Sequence, residues 1–273
     1  MTIGSLVAAT ASVMLSLSAC ESPPDKGGVP AAQVDASEVK QYVAEIVRRI
    51  PHDPTAFTQG LVLRGGLLYE STGRYGESSI RRVDPSTGAV LERVDLPRNV
   101  FGEGLAFTGS DLVQLSWNEF LAYFYDPDSL QLRKTIYYAG EGWGLCYDGE
   151  HLLMTTGGDQ LVTRDPRTFE ALSAIQITRA GVPLFFVNEL ECVGEAIWGN
   201  VYPTSRIVQI DKATGRVLAE LDGANLIPAG VDPDDTDQAL NGIAYDPAAG
   251  TFYVTGKLWP AMFEVKFVPK PEG

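Results

Sequence analysis

At 273 residues the chain is ample for one large domain and makes no clear case for two. Its residues are 45% hydrophobic and 10% aromatic, enough to bury a real core. A net charge of −14 repels phosphate backbones and argues against nucleic acid as a partner, and the acids are scattered through turns with no acidic tail.

In chain order, Ile3 to Ala19 comes first, small, apolar and uncharged, ending Leu17-Ser18-Ala19-Cys20. A short apolar stretch that closes on small residues reads as a secretory signal over 1–19 and not as a spanning helix. The ending resembles the lipobox of bacterial lipoproteins, which implies cleavage before Cys20 and lipid on its sulfur. The leader departs from that pattern in carrying no Lys or Arg. An ordinary cleaved leader, with Cys20 merely near the site, is the alternative. Residues 20–39 have linker composition, with Ser22-Pro23-Pro24-Asp25-Lys26-Gly27-Gly28 at their head. The expected location is the cell envelope, on the periplasmic side, with the membrane reached only through the lipid anchor.

Tyr42 to Ile50 alternates as a strand, and His52-Asp53-Pro54 turns the chain into a repeat. Five openings follow: Gln59-Gly60-Leu61, Glu103-Gly104-Leu105, Trp143-Gly144-Leu145, Asn188-Glu189-Leu190 and Asn241-Gly242-Ile243. Their third residues are 44, 40, 45 and 53 positions apart. A period of about 40 to 50 residues with several short strands per unit is the pattern of a β-propeller blade. Turns at Asp84-Pro85, Asp126-Pro127, Asp165-Pro166 and Asp211-Lys212 punctuate the units. The fifth unit holds three strands, and the strand at 42–50 has no unit of its own. Placing it beside the last three closes the ring and removes an open edge. The expected fold is therefore all-β, a five-bladed propeller over 40–269, with the lead residues Gln59, Glu103, Trp143, Asn188 and Asn241 around one mouth. An insertion over 226–238, rich in Asp, lengthens the fourth-to-fifth connection and is expected over the functional face.

With Cys20 lipidated, Cys146 and Cys192 remain. Counted from their openings they fall on opposite faces of a strand, so they are expected to stay unpaired. There is no Cys-x-x-Cys, and only His52 and His151 offer imidazole, which argues against a zinc centre.

Glu103, between Gly102 and Gly104 and after Phe101, is a carboxyl expected to be partly desolvated, with a pKa raised to suit acid–base work. The competing reading is a glutamate satisfied by backbone donors or a cation. Phe57, Phe101, Trp117, Trp143, Tyr202 and Trp259 stand at or near the openings, where they line a pocket more readily than a core. Lys257 occupies a turn equivalent to that of Trp117 and aims one cation at the same pocket; a surface lysine is the alternative.

These segments resemble the plant-type glutaminyl cyclases, which also occur in bacteria. The resemblance runs through Pro51-His52-Asp53-Pro54-Thr55-Ala56-Phe57-Thr58-Gln59-Gly60-Leu61, Tyr69-Glu70-Ser71-Thr72-Gly73, Phe101-Gly102-Glu103-Gly104, Glu141-Gly142-Trp143-Gly144-Leu145, Asn188-Glu189-Leu190-Glu191, Leu240-Asn241-Gly242-Ile243-Ala244 and Thr255-Gly256-Lys257-Leu258-Trp259-Pro260. It covers about residues 42 to 267. It implies a five-bladed propeller that converts N-terminal glutamine of peptides or proteins to pyroglutamate with release of ammonia. It implies Glu103 as the proton carrier, Gln59, Asn188 and Lys257 as polar pocket residues, and Phe57, Phe101, Trp117 and Trp143 as aromatic wall. Tyr202 stands where the family pattern has Trp, which alters one wall. No cofactor is expected for the chemistry; a structural calcium held by inner-strand carbonyls is compatible with it. A monomer is expected. A non-catalytic envelope propeller that binds peptides and a metal-dependent, lactonase-like hydrolase are the competing readings.

Overall fold

Five aspartate turns set the spacing of the strands. At each, a side-chain oxygen accepts from a backbone N–H two or three residues on: Asp84 from Ser86 (2.7 Å), Asp126 from Asp128 (3.0 Å), Asp165 from Arg167 (2.8 Å), Asp211 from Thr214 (2.8 Å) and Asp246 from Ala248 (2.9 Å). The computed structural model describes residues 39–271. The expected leader, Cys20 and all but the end of the linker lie outside the described residues.

Three four-stranded antiparallel sheets follow one another in chain order. The first sheet holds β2 (Thr58–Arg64), β3 (Leu67–Thr72), β4 (Ser79–Val83) and β5 (Val90–Asp95), preceded in the chain by β1 (Lys40–Pro51). The second holds β6 (Gly102–Phe107), β7 (Leu112–Ser116), β8 (Leu121–Tyr125) and β9 (Leu132–Tyr137). The third holds β10 (Leu145–Tyr147), β11 (Leu152–Thr155), β12 (Gln160–Arg164) and β13 (Ala171–Gln176), followed by the small hairpin of β14 (Thr178–Arg179) and β15 (Val182–Pro183). Then come β16 (Val187–Val193), β17 (Ala196–Val201), β18 (Arg206–Asp211), β19 (Val217–Asp222), β20 (Leu240–Asp246), β21 (Thr251–Gly256) and β22 (Ala261–Pro269).

These last seven share one eight-stranded sheet with β1, in the order β16-β17-β18-β19-β1-β22-β21-β20. Strand β1 pairs antiparallel with β22 from Tyr42↔Pro269 to Pro51↔Ala261. It also pairs parallel with β19 over Lys40–Val43, a join the repeat pattern does not announce. One extra residue between Ile46 and Arg48 interrupts the alternation read over 42–50.

In each of the three four-stranded sheets the fourth strand is the exposed one: β6 is almost wholly buried and β9 almost wholly exposed, whereas β19, covered by β1, stays largely buried. The first strands touch in a closed cycle, β2 to β6 to β10 to β16 to β20 and back to β2. Apolar clusters fill the spaces between successive sheets; one joins Val113, Leu115 and Phe124 to Leu145, Leu152 and Met154.

The glycine of the openings is explained by this crowding. A Cβ on Gly104 would lie 2.5 Å from the Trp143 carbonyl oxygen, and one on Gly144 would lie 1.8 Å from that of Asn188. In the fourth opening Glu189 replaces the glycine and reaches between first strands. Its Oε1 accepts from Leu61 N (3.0 Å) and its Oε2 from Ile243 N (2.8 Å). Burial pushes its carboxyl well above the usual range, against the pull of those two donors. Glu189→Ala orphans both buried N–H groups. It is expected to lower unfolding free energy by on the order of 3 kcal/mol in urea titration; an unchanged midpoint would show that water replaces the carboxylate there.

Cys146 and Cys192 form a disulfide, with Cα atoms 5.5 Å apart, which corrects the expectation of free thiols. Opposite faces are what the bond requires here, because the front of one sheet packs on the back of the next. Cys146 and Cys192 sit in that shared layer with Leu153, Leu161 and Leu190.

Candidate active site

Four of the first strands carry one surplus residue at their opening, between Thr58 and Gly60, Gly102 and Leu105, Val187 and Leu190, and Leu240 and Ile243. A bulge re-aims the side chain beside it. Here the residues so placed are Gln59, Glu103, Asn188 and Asn241. Three of them enter a cavity of about 360 Å³; Asn241 stands behind, its Nδ2 donating to Gln59 Oε1 (3.0 Å) and to the Thr58 carbonyl (2.9 Å). That contact fixes the Gln59 amide so that its Nε2 donates to Glu103 Oε1 at 2.7 Å.

Phe57, Gln59, Phe101, Glu103, Trp117, Trp143, Asn188, Tyr202 and Lys257, read from distant parts of the sequence, all line this cavity. Trp259 does not. It is 1% exposed, and its indole N–H donates to the Gln238 carbonyl at 2.7 Å. The aromatic wall has two groups of touching rings: Phe101 meets Phe57 edge-on at 6.0 Å and Trp117 at 5.6 Å, and Trp143 meets Tyr202 at 6.0 Å. Phe186, at φ 63°, extends Trp143 outward at 6.2 Å.

Glu103 is 4% exposed. Its Oε2 is buried without a hydrogen-bond partner, and so is Asn188 Oδ1. Burial drives the Glu103 carboxyl well above the usual carboxylate range. The Lys257 charge and the Gln59 hydrogen bond pull it back, while Glu141 and Glu119 push it further up. Lys257, also 4% exposed, has its Nζ over the rings of Phe57 (4.7 Å) and Tyr202 (4.5 Å). Burial lowers it to about 8, against the opposing charges of Glu103 and Asp237. Among the described residues Lys257 makes no direct ion pair, so it acts on Glu103 through space.

Behind the Lys257 loop a buried network holds the frame. His52 Nδ1 lies 2.7 Å from the Trp259 carbonyl and Nε2 lies 2.9 Å from Glu70 Oε1, which also accepts from the Thr58 hydroxyl (2.7 Å). Burial alone would lower His52, but the Glu70 charge and hydrogen bond outweigh it and raise the imidazole.

Arg74 and Asp237 also line the cavity, and sequence reasoning missed both. They pair at 2.9 Å, with the Arg74 guanidinium 4.7 Å above the Phe57 ring. Arg74 directly follows the Gly73 of a segment that carries the resemblance. Asp237 belongs to the insertion expected over the functional face, and Asp235 Oδ1 accepts from its N–H. Among the described residues no group of three or more His, Cys, Asp or Glu is placed to hold a metal ion.

A buried, partly compensated carboxyl in an aromatic cup, among the strand openings of an all-β fold, marks a small-ligand site. A family model described as Glutamine cyclotransferase matches residues 14–267. The chain is 37% identical over 230 residues to a glutaminyl-peptide cyclotransferase of Arabidopsis thaliana, covering 81% of this chain and 70% of that one. Its fold matches the crystal structure of Myxococcus xanthus glutaminyl cyclase with a TM-score of 0.80 and 37% identity, over 86% of this chain and all of that one. The chain belongs to the glutamine cyclotransferase family.

Proposed function

We propose that this protein is a glutaminyl-peptide cyclotransferase, converting the N-terminal glutamine of peptides or proteins to pyroglutamate with release of ammonia. The observation that carries the reading is the pair of buried acceptors without donors, Glu103 Oε2 and Asn188 Oδ1, at the floor of the cup. A buried acceptor left unpaired is costly, so the cup is built for a ligand rich in N–H. A folded-back N-terminal glutamine brings two such groups, its α-amine and its γ-carboxamide.

In this mechanism the α-amine nitrogen attacks the side-chain carboxamide carbon. The new N–C bond closes a five-membered ring while the carbonyl oxygen becomes an oxyanion. Glu103 takes a proton from the attacking amine and delivers it to the departing nitrogen, so the C–N bond breaks with ammonia leaving neutral. Ring closure is intramolecular, so holding the near-attack shape supplies much of the acceleration. Gln59 and Asn188 orient the carboxamide, and Lys257 offers the positive charge that a developing oxyanion needs. No step calls for a cofactor. For the calcium considered from sequence, the region between first strands supplies Glu189 already bound to two amide donors, which does not suit a cation.

The same reading takes the sheets as five four-stranded propeller blades, with β1 completing the last. The closed cycle of first strands and the β1–β22 ladder support it. It places the protein, as a monomer, on the periplasmic side of the cell envelope under a lipid anchor at Cys20; the Cys146–Cys192 disulfide suits such an oxidising compartment.

The test is ammonia release from Gln-initiated peptides, with and without EDTA. Release that chelator leaves intact is the expected result. Release abolished by EDTA would favour the metal-dependent hydrolase, and none at all would favour a peptide binder.

The pH profile tests the proton inventory. Glu103 must lose its proton to act as base, so its raised pKa sets the acid limb of kcat/KM well above the ordinary carboxylate range. Lys257 discharges near pH 8 and sets the alkaline limb. Lys257→Met removes the cation that holds Glu103 down. The acid limb is then expected to move to higher pH, the limb near 8 to disappear, and kcat to fall by about 10²-fold. An alkaline limb unchanged in this variant would assign it to another group.

A further inference from the structure

Two carboxylates outside the cavity lining grip its aromatic wall. Glu141, in the loop after β9, uses a single oxygen, Oε2, to accept the indole N–H of Trp117 (3.0 Å) and that of Trp143 (3.1 Å). Glu119, in the loop after β7, accepts from the Phe101 backbone N–H with Oε2 (3.2 Å) and from the Tyr75 hydroxyl with Oε1 (3.0 Å). Tyr75 in turn meets Phe101 edge-on at 5.5 Å. Trp117 and Trp143 come from different sheets, and both are only partly buried. Ring-to-ring contact in an open rim is weakly directional, whereas an indole N–H on a carboxylate is a charge-assisted bond with a defined angle.

We propose that Glu141, with Glu119 beside it, is the positioning residue of the substrate cup: one carboxylate oxygen locks the indoles of two sheets into a single wall against which the glutamine side chain folds. The inference rests on the cyclotransferase reading of the cup and adds to it. Neither acid touches the reacting atoms. Their charges nonetheless reach Glu103, which is faced by Lys257, Glu119, Glu141, Tyr75 and Tyr138, with Arg74 and Asp237 in the same lining. Glu141 therefore has two separable properties, an acceptor that holds the indoles and a negative charge that favours protonated Glu103.

Two substitutions separate them. Glu141→Ala removes both properties. Expected are loss of the share of the near-ultraviolet tryptophan circular dichroism that Trp117 and Trp143 contribute, the buried Trp198 and Trp259 keeping theirs and the far-ultraviolet signal staying intact, and a rise of about tenfold in KM for a Gln-initiated peptide, larger than any fall in kcat. Glu141→Gln keeps one carbonyl oxygen as acceptor and discards the charge. It is expected to restore the tryptophan signal and bring KM back to within about threefold of wild type, one neutral acceptor holding less firmly than a charged one. The acid limb of its kcat/KM profile should move to lower pH, because one of the charges opposing ionisation of Glu103 is gone. Wild-type dichroism and KM in Glu141→Ala would overturn the proposal. So would a Glu141→Gln enzyme as impaired as Glu141→Ala with its acid limb unmoved. The dichroism is read without turnover, so an inactive wild type would count against the cyclotransferase reading alone.

Discussion

Glu103→Gln is expected to abolish nearly all ammonia release, with kcat down by about 10³-fold or more, since the variant loses both the base and the acid half of one proton transfer. The substitution keeps the side chain's length, and the new carbonyl still accepts from Gln59 Nε2, so KM should change little. The stability readout runs the other way. Burial raises the folded carboxyl well above its ordinary value, so between the unfolded and folded pKa the native state holds the extra proton. Stability contributed by that group therefore falls as pH rises through this window. The amide does not ionise, so above that window the variant should unfold at the same or a higher temperature than wild type. Lost turnover with unchanged or raised Tm is the signature of a group kept for chemistry at a cost to the fold. A Glu103→Gln enzyme retaining a tenth of wild-type kcat would remove Glu103 from the proton path.

The second large effect is on stability. The Cys146–Cys192 bond closes a span of 46 residues. Chain-entropy reasoning for a loop of that size gives about 4 kcal/mol, an upper figure when the unfolded chain retains structure. The Cys146→Ala, Cys192→Ala double variant is expected to lose about 2–4 kcal/mol of unfolding free energy in urea, and reduction of the wild type should give a similar loss. The bond ties the third sheet to the eight-stranded sheet three residues beyond Trp143 and four beyond Asn188. A modest rise in KM should therefore accompany it. A loss under about 0.5 kcal/mol, the scale of an ordinary surface change, would mean that the thiols are not bonded in solution.

Much of the site was legible because its residues are tied to the repeat. Gln59, Glu103, Trp143 and Asn188 lead strand openings, and a repeated opening on a ring must return to the same place in each unit. Phe57, Phe101, Trp117, Tyr202 and Lys257 sit one or two residues from such openings or from the turn that follows. Trp259 obeyed the same rule and still went into the core, because its indole N–H found the Gln238 carbonyl. Arg74, Asp237 and Glu119 were not legible, because they lie in loops of differing length where no period says which way a side chain points. Glu141 stands two residues before an opening, as Phe57 and Phe101 do, but its role depends on two indole N–H groups that only the fold brings to it. The cysteines failed for a related reason: strand parity describes one sheet, while a bond between stacked sheets depends on which faces meet.

From sequence alone come the all-β class, the partnership of the strand at 42–50 with the end of the chain, and the carboxyl and ammonium placed at one cavity. Each follows from local pattern: alternation, aspartate turns, and a glycine where two backbones crowd. Tertiary structure alone decided that Glu103 Oε2 and Asn188 Oδ1 are left without donors, that Lys257 sits over two rings with no direct ion pair among the described residues, and that one oxygen of Glu141 holds two indoles. Those facts concern distances between atoms far apart along the chain. Hydrogen bonds and desolvation are set by such distances, and no local pattern encodes them.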